Sequence, residues 1–361
     1  MNVLYGLIGS SELLKERDPD GSYTFSGITQ KNFSALEENS GRASALSELS
    51  SRIHHNLSLT ENIINFLPKI NVNHYRISSS IFSLISDFSD DINVKIDDLS
   101  DNLAILSKVR SIGIAARQNN VTLSVYPDST NALATEDELQ AEKTINELNF
   151  HSWFFETAGF PSNPSNPIVI KPFSQPSSSS HDSATKFVNL FYSNFKKLKS
   201  ETQKRIVIQN EDSGFWNPVN LFKYFHVYLN EKHNNGMVLS YCNYADERNP
   251  GSFGSDSVDP IVNVGAFHET WMGVVPIFLW SEKEAPNSNV SKEFLSKPIP
   301  DFNYNIKWEC DVRKRDKAII KYTMPEDEDK ITEEVIMTIT QNKYKKSKDA
   351  SRNFNALYDA Q

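Results

Sequence analysis

Only two cysteines, Cys242 and Cys310, occur in the 361 residues. A disulfide framework is therefore not expected, and a reducing compartment fits better. Neither cysteine sits in a C-x-x-C or other metal-ligand spacing. No apolar run approaches the length of a membrane span, so no membrane partner is expected. Met1 to Gly9 lacks the basic start and long apolar core of a secretion signal, and a cytoplasmic location is expected. Positive charge is in short supply, with 37 Lys+Arg against 46 Asp+Glu and a formal net charge of -9. This balance argues against strong non-specific nucleic-acid binding, which leaves a basic footprint, but allows a small basic groove in an acidic envelope. Glycine is missing where a dinucleotide fold needs it. Gly6-Leu-Ile-Gly9 is not the Gly-rich loop that follows the first strand of a doubly wound sheet.

What is present is a regular alternation. Short β-branched or aromatic runs predict strands at Val3–Ile8, Val72–Ile77, Val121–Val125, Ile168–Ile170, Ile206–Ile208, Met237–Ser240, Val274–Trp280 and Asn305–Trp308. Between them, apolar residues at helical spacing mark helices. The second strand is preceded by Leu57, Ile63, Ile64 and Leu67, stopped by Pro68. Leu103, Leu106, Val109 and Ile112 follow it, and Phe187, Leu190, Phe191 and Phe195 follow the fourth. Thr135 with Glu138 reads as a capping box. Asn217 and Pro218 read as N-cap and first helical residue, and Gly236 ends that helix. Residues 10–50 read as a polar, Ser- and Glu-rich segment. Eight strands alternating with helices predict an α/β (β/α)8 barrel of the TIM type over residues 1–322, with a charged extension over 323–361.

In such a barrel the sites lie at the C-terminal strand ends. The most prominent of these ends is Lys204-Arg-Ile-Val-Ile-Gln-Asn-Glu-Asp212, where an apolar run stops at four polar residues. Glu309, Glu211, Asp212 and Asp311 can form an acidic site at the mouth, or one of them can pair with Lys171. The ion pair is the preferred reading, because buried charges need partners. Lys171 as a Schiff-base lysine is a weaker alternative. Gln209 and Asn210 either bind a ligand or fill polar space. Tyr126 and Trp280 either stack a base or cap the core. His54, His55, His74, His151, His226 and His268 read as packing or surface residues, while His181-Asp182 follows a Ser-rich loop on the mouth side. The lysines of 196–199 and of the tail read as solvated faces.

Taken in order, several of these stretches resemble the UV-damage endonuclease family. Asn56 to Phe66 followed by His74-Tyr-Arg-Ile-Ser-Ser79 is similar to its second βα unit, and His151 to Gly159 with Pro167-Ile-Val-Ile-Lys-Pro172 to its fourth strand. Gln209-Asn210-Glu211 stands where the family has Glu-Asn-Asp. Thr270-Trp271 ahead of Pro276 and Ser281 is similar to its seventh-strand segment. Trp308-Glu-Cys-Asp-Val-Arg-Lys-Arg-Asp-Lys-Ala318 resembles the Glu-x-Lys stretch of its last strand. The resemblance covers about Met1 to Tyr322 and implies a metal-dependent barrel nuclease acting on damaged DNA.

This sequence departs from the family at the residues the resemblance assigns to chemistry. The family's histidines become Asp87, Tyr126, Lys171, Asn243 and Leu279. Its metal-binding Glu becomes Gln209, its sixth-strand Asp becomes Ser240, and its modified Lys becomes Ile277. The Gln-Tyr pair that probes damaged DNA becomes Ser129-Thr130, and only Glu309 matches outright. A hard metal needs several anionic or imidazole ligands, so no metal cofactor is expected. If one binds, as Mn or Mg in an active enzyme, Glu309, Asp87 and Glu211 are its ligands. The chain is expected to be a degenerate member that retains DNA-binding or scaffolding use, with Arg76, Tyr126, Asn210, Asn243 and Trp280 facing DNA or another ligand. Two rival readings stay open. One is an active repair endonuclease rearranged around Glu309, Glu211, Asp87 and Asp128, with Lys171, Gln209, Glu211 and Glu309 as catalytic candidates. The other is a small-molecule barrel enzyme using Lys171 with an acidic partner.

Overall fold

Nine parallel strands form one sheet: β1 (Leu4–Ile8), β2 (His74–Ile77), β3 (Thr122–Val125), β4 (Ile168–Ile170), β5 (Ile206–Gln209), β6 (Val238–Ser240), β7 (Cys242–Ala245), β8 (Ile277–Glu282) and β9 (Lys307–Asp311). They pair in the order β6-β5-β4-β3-β2-β1-β9-β8-β7. The two ends of that order, β6 and β7, are consecutive in the chain and separated by Tyr241 alone. They are two halves of one stave. β6 pairs with β5 through Gln209 and Ser240, and β7 pairs with β8 through Cys242 and Leu279. Nine strands with two sharing a stave make eight staves, and the sheet closes as the expected (β/α)8 barrel. The computed structural model describes residues 3–17, 23–85, 94–127, 132–211, 214–245, 260–284 and 290–324. Asp87, Asp128, Ser129, Thr130, Asp212 and nearly all of the charged extension lie outside the described residues.

A parallel strand covered by helices on one face and by the barrel on the other reads as apolar on the helix side. Tyr75, Leu123, Ile168 and Ile206 fill that outer layer and are buried. Trp280 and Trp308 belong to it too, edge to face at 5.7 Å. β8 and β9 differ from expectation at both ends, starting two to three residues later and running past Trp280 and Trp308. Glu309, expected beyond a strand end, is thereby carried within β9.

The polar segment at 10–50 is largely helical, against expectation. Helices span Gln30–Ser40 and Arg42–Phe66. The second has a buried stripe of Ala45, Leu49, Ile53, Leu57, Ile63 and Ile64, at the spacing of one helix face. Its first turns are hidden in the sequence by serines on the exposed side. The helix Glu138–Thr157 is capped by Asp137, not Thr135, because the Asp137 carboxylate accepts from the Leu139 and Gln140 amides. Asn217 caps as expected, accepting from Asn220 N at 3.0 Å, and Pro218 opens the helix. That helix then widens into a π-turn over Phe222–Tyr228. It ends on left-handed Asn234 rather than at Gly236. No described helix is long and apolar enough to cross a membrane.

Candidate site inside the barrel

β2 reads His-Tyr-Arg-Ile and β3 reads Thr-Leu-Ser-Val, polar and apolar in strict alternation. Since the apolar set faces the helices, the polar set faces the barrel interior. His74, Arg76, Thr122 and Ser124 converge there with Glu309 and Lys307 of β9. Glu309 is 1% exposed. Its Oε1 accepts from His74 Nε2 at 2.9 Å and from the Ser124 hydroxyl at 2.5 Å. Its Oε2 accepts from Arg76 Nη2. Both carboxylate oxygens are thus taken by side chains of two other staves.

The hydrogen bonds continue toward the N-terminal end of the barrel. Lys307 Nζ, which can only donate, donates a hydrogen bond to Thr122 Oγ1 at 2.8 Å. Thr122 Oγ1 lies 2.9 Å from His74 Nδ1. The Glu309 carboxylate, an acceptor only, places the imidazole proton on Nε2, and the Thr122 hydroxyl is left to face Nδ1, with the Asn73 carbonyl 3.4 Å away as its other acceptor. Burial lowers the His74 pKa against the opposing pull of Glu309, so the ring is held neutral. Burial alone raises the Glu309 carboxyl, but the Arg76 charge and the His74 hydrogen bond outweigh it and hold the group down to about 2. Arg76 loses by burial and gains more from Glu309, so its pKa is raised. The centre is an arginine–carboxylate pair with a neutral histidine and a serine completing the carboxylate's hydrogen bonds.

The ion partner of Glu309 is Arg76. Of the packing or surface roles expected for His74, the structure shows the buried one, and the ring is a member of the cluster. The signal for both was the period-two polar pattern of β2. Lys171 immediately follows β4 and is half-buried. Thr122, Ser124 and Lys307 carried no motif and were missed.

The other candidate residues do not gather around Glu309. Gln209 is buried beside Ser240, its Nε2 3.5 Å from Ser240 Oγ, and Ser240 donates to the Ile277 carbonyl at 2.8 Å. The Gln209 Oε1 and Arg76 Nε atoms are buried without a hydrogen-bond partner. Asn210 grips the backbone of Cys242, accepting from its N–H at 2.7 Å and donating to its C=O at 3.0 Å. Both bonds tie it to the barrel wall. Glu211 accepts from Gln175 Nε2 of the loop after β4. Asp311 accepts from Ser281 at 2.9 Å, with Lys283 at 3.5 Å. The expected acidic cluster of Glu309, Glu211 and Asp311 is therefore divided among three sets of partners, and Asp212 is not described. Trp280 is buried in the outer layer against Trp308 and Phe302, which corrects its placement at the mouth. Tyr126 is half-buried with the Arg76 guanidinium 5.3 Å from its ring centre. Asn243 is half-buried, in register with Trp280. His181 opens the helix His181–Phe195 and packs against Tyr224 at 5.7 Å.

A divalent metal would find a poor donor set here. Glu309 has a guanidinium on one oxygen, a cation that opposes an incoming metal. Leu279, in register with Glu309 on the neighbouring strand, offers hydrocarbon. Among the described residues no group of three or more His, Cys, Asp or Glu is placed to hold a metal ion. The described residues do not fit the metal centre that the resemblance implied.

The family described as UV-endonuclease UvdE matches residues 4–345 of the chain. The crystal structure of SacUVDE superposes with a TM-score of 0.68 at 19% identity, covering 91% of this chain and 99% of that one. Endonuclease IV from Thermus thermophilus is more distant, with a TM-score of 0.46, 10% identity and coverage of 74% and 93%. A D-psicose 3-epimerase from Clostridium cellulolyticum scores 0.42 at 12% identity, with 79% and 92% covered. No curated protein sequence matches.

Proposed function

The chain belongs to the UV-endonuclease UvdE family, and from that premise we propose that it binds DNA at its strand-end rim without cutting it by a metal-ion route. One observation carries this reading. Both oxygens of Glu309 are committed to His74, Ser124 and Arg76. A carboxylate so engaged has little left to offer a metal, because a metal would have to displace a buried guanidinium and leave that charge unpaired. The rearranged nuclease site finds no support in Glu211, which is held by Gln175. Its other members, Asp87 and Asp128, lie outside the described residues.

Binding of this kind would lean little on the phosphate backbone. Arg313 pairs with Glu284 at 2.5 Å and Lys314 with Glu16 at 3.0 Å, so the basic stretch after β9 is largely neutralised. The reading therefore favours recognition of disturbed DNA over non-specific duplex binding. A cytoplasmic place of work accords with Cys242 and Cys310, both buried and neither in a disulfide.

Metal analysis of the purified protein, a nicking assay on irradiated plasmid with Mn²⁺, and a gel-shift assay on irradiated duplex test the proposal together. The expected result is no stoichiometric metal, no nicking and a retarded complex. Bound metal with nicking abolished by Glu309→Gln would overturn the non-cutting reading. Absence of any retarded complex would remove DNA binding.

A further inference from the structure

The loop after β4 holds a strained residue that the buried cluster does not use. Phe173 has φ +69°, a region that bulky side chains avoid. Around it the Ser174 N–H donates to the Pro172 carbonyl at 2.9 Å. A hydrogen bond from i+2 back to i, with positive φ at the central residue, is the rare and strained form of the γ-turn. Glycine would fit there without strain, yet this chain places a phenyl ring.

Neighbouring groups over-determine the turn. Trp216, fully buried, donates its indole N–H to the Ser174 carbonyl at 2.8 Å, and is itself fixed by Phe187 and Phe225 at 5.0 Å each. Gln175 accepts from the Phe215 N–H at 2.7 Å and donates to Glu211. A Cβ on Gly214 would lie 3.1 Å from the Gln175 amide. The loops after β4 and β5 are thus tied to each other directly behind the turn. Strain held this firmly needs an account, and what the turn delivers is display. Phe173 is 49% exposed at the end of the barrel where ligands bind.

We infer that Phe173 is a stacking platform for a nucleobase exposed from a locally opened DNA duplex. This rests on the DNA-binding reading above and deepens it. A single rigid ring presents a π-face that any base can cover, without base-specific hydrogen bonds. It suits a protein whose partner is disturbed DNA of any sequence. Lys171, two residues before, adds a cation on the same loop.

The test uses the full chain and a duplex carrying 2-aminopurine in a single-base bulge, beside an intact duplex. Wild type should bind the bulged duplex and quench its fluorescence, as stacking on an aromatic ring does. Phe173→Ala should weaken that complex roughly ten-fold and lose the quench. Phe173→Trp should retain both properties. Phe173→Gly should raise the melting temperature, since it relieves the strain, while also losing the quench. If Phe173→Ala binds and quenches like wild type, the inference is overturned and DNA binding stands. If wild type binds neither duplex, the DNA reading falls and takes the inference with it.

Discussion

His74 and Glu309 meet at 2.9 Å although a strand lies between theirs. β1 separates β2 from β9, and Gly6 of β1 is in register with both residues. The contact passes over a position with no side chain. A Cβ on residue 6 would come within 2.7 Å of His74 Cδ2, closer than carbon atoms approach. Gly6→Ala should therefore push the imidazole off Glu309 and destabilise the barrel by about 1–3 kcal/mol, the usual cost of overpacking. Chemical denaturation of the two proteins measures it, and equal stability would show that His74 has room to retreat.

The Arg76–Glu309 pair yields the largest expected effect. Removing one partner of a buried pair leaves the other charge unpaired, which costs about 3–5 kcal/mol. Arg76→Ala should cost that much. Arg76→Ala with Glu309→Gln should recover part of the loss, because no buried charge is left behind. A double-mutant cycle in urea would show a coupling energy well above zero. Additive losses would mean the two groups do not depend on each other.

The fold was legible because its signals are local. Most staves are short runs of apolar or alternating residues, and some helix starts are stated by local cap chemistry, as at Asn217-Pro218. The split stave was not legible, since nothing in Ser240-Tyr-Cys242 marks Tyr241 as the residue between β6 and β7. The partner of Glu309 was half legible. The alternation of His74, Tyr75, Arg76 and Ile77 showed that polar side chains share one face of β2, and a barrel makes that face the interior. What was missing was the register, which sets Gly6 beside both His74 and Glu309. Register is a tertiary quantity, and without it Lys171 and Arg76 are equally good candidates for the carboxylate. The two readings of Asn210 stayed level for a related reason. An amide at a strand end looks the same whether it faces a ligand or a neighbouring backbone.

Lys307 gives a pH dependence. Its ammonium is mostly buried with Thr122 Oγ1 at 2.8 Å, and burial lowers its pKa from 10.5 to about 8. Between those values the unfolded chain holds the proton that the folded chain has given up. Stability then rises with pH across this window, by the linkage of proton uptake to unfolding. Thermal melts of wild type should show this rise between pH 8 and 10.5 on top of the general alkaline trend. Lys307→Met, which keeps the stem and drops the titration, should lack it. Parallel pH profiles for the two proteins would place the lysine in solvent.

Asn210 bridges the end of β5 to the second half of the divided stave. Its amide satisfies both the N–H and the C=O of Cys242, just after the break at Tyr241, whose own carbonyl accepts from Leu279 N at 2.9 Å. Asn210→Ala leaves both Cys242 groups without this partner in a dry wall, at about 1–3 kcal/mol per group. Asn210→Asp keeps the acceptor but turns a carboxylate oxygen toward the Cys242 carbonyl, so it should be no better than alanine. The loss should be local first. Amide exchange at Cys242 and Leu279 should accelerate in Asn210→Ala, while amides of β2 and β3 on the far side keep their protection. A variant with unchanged exchange and stability but weaker binding to DNA would instead return Asn210 to the ligand-facing role, and the brace across the sixth stave would have to be sought elsewhere.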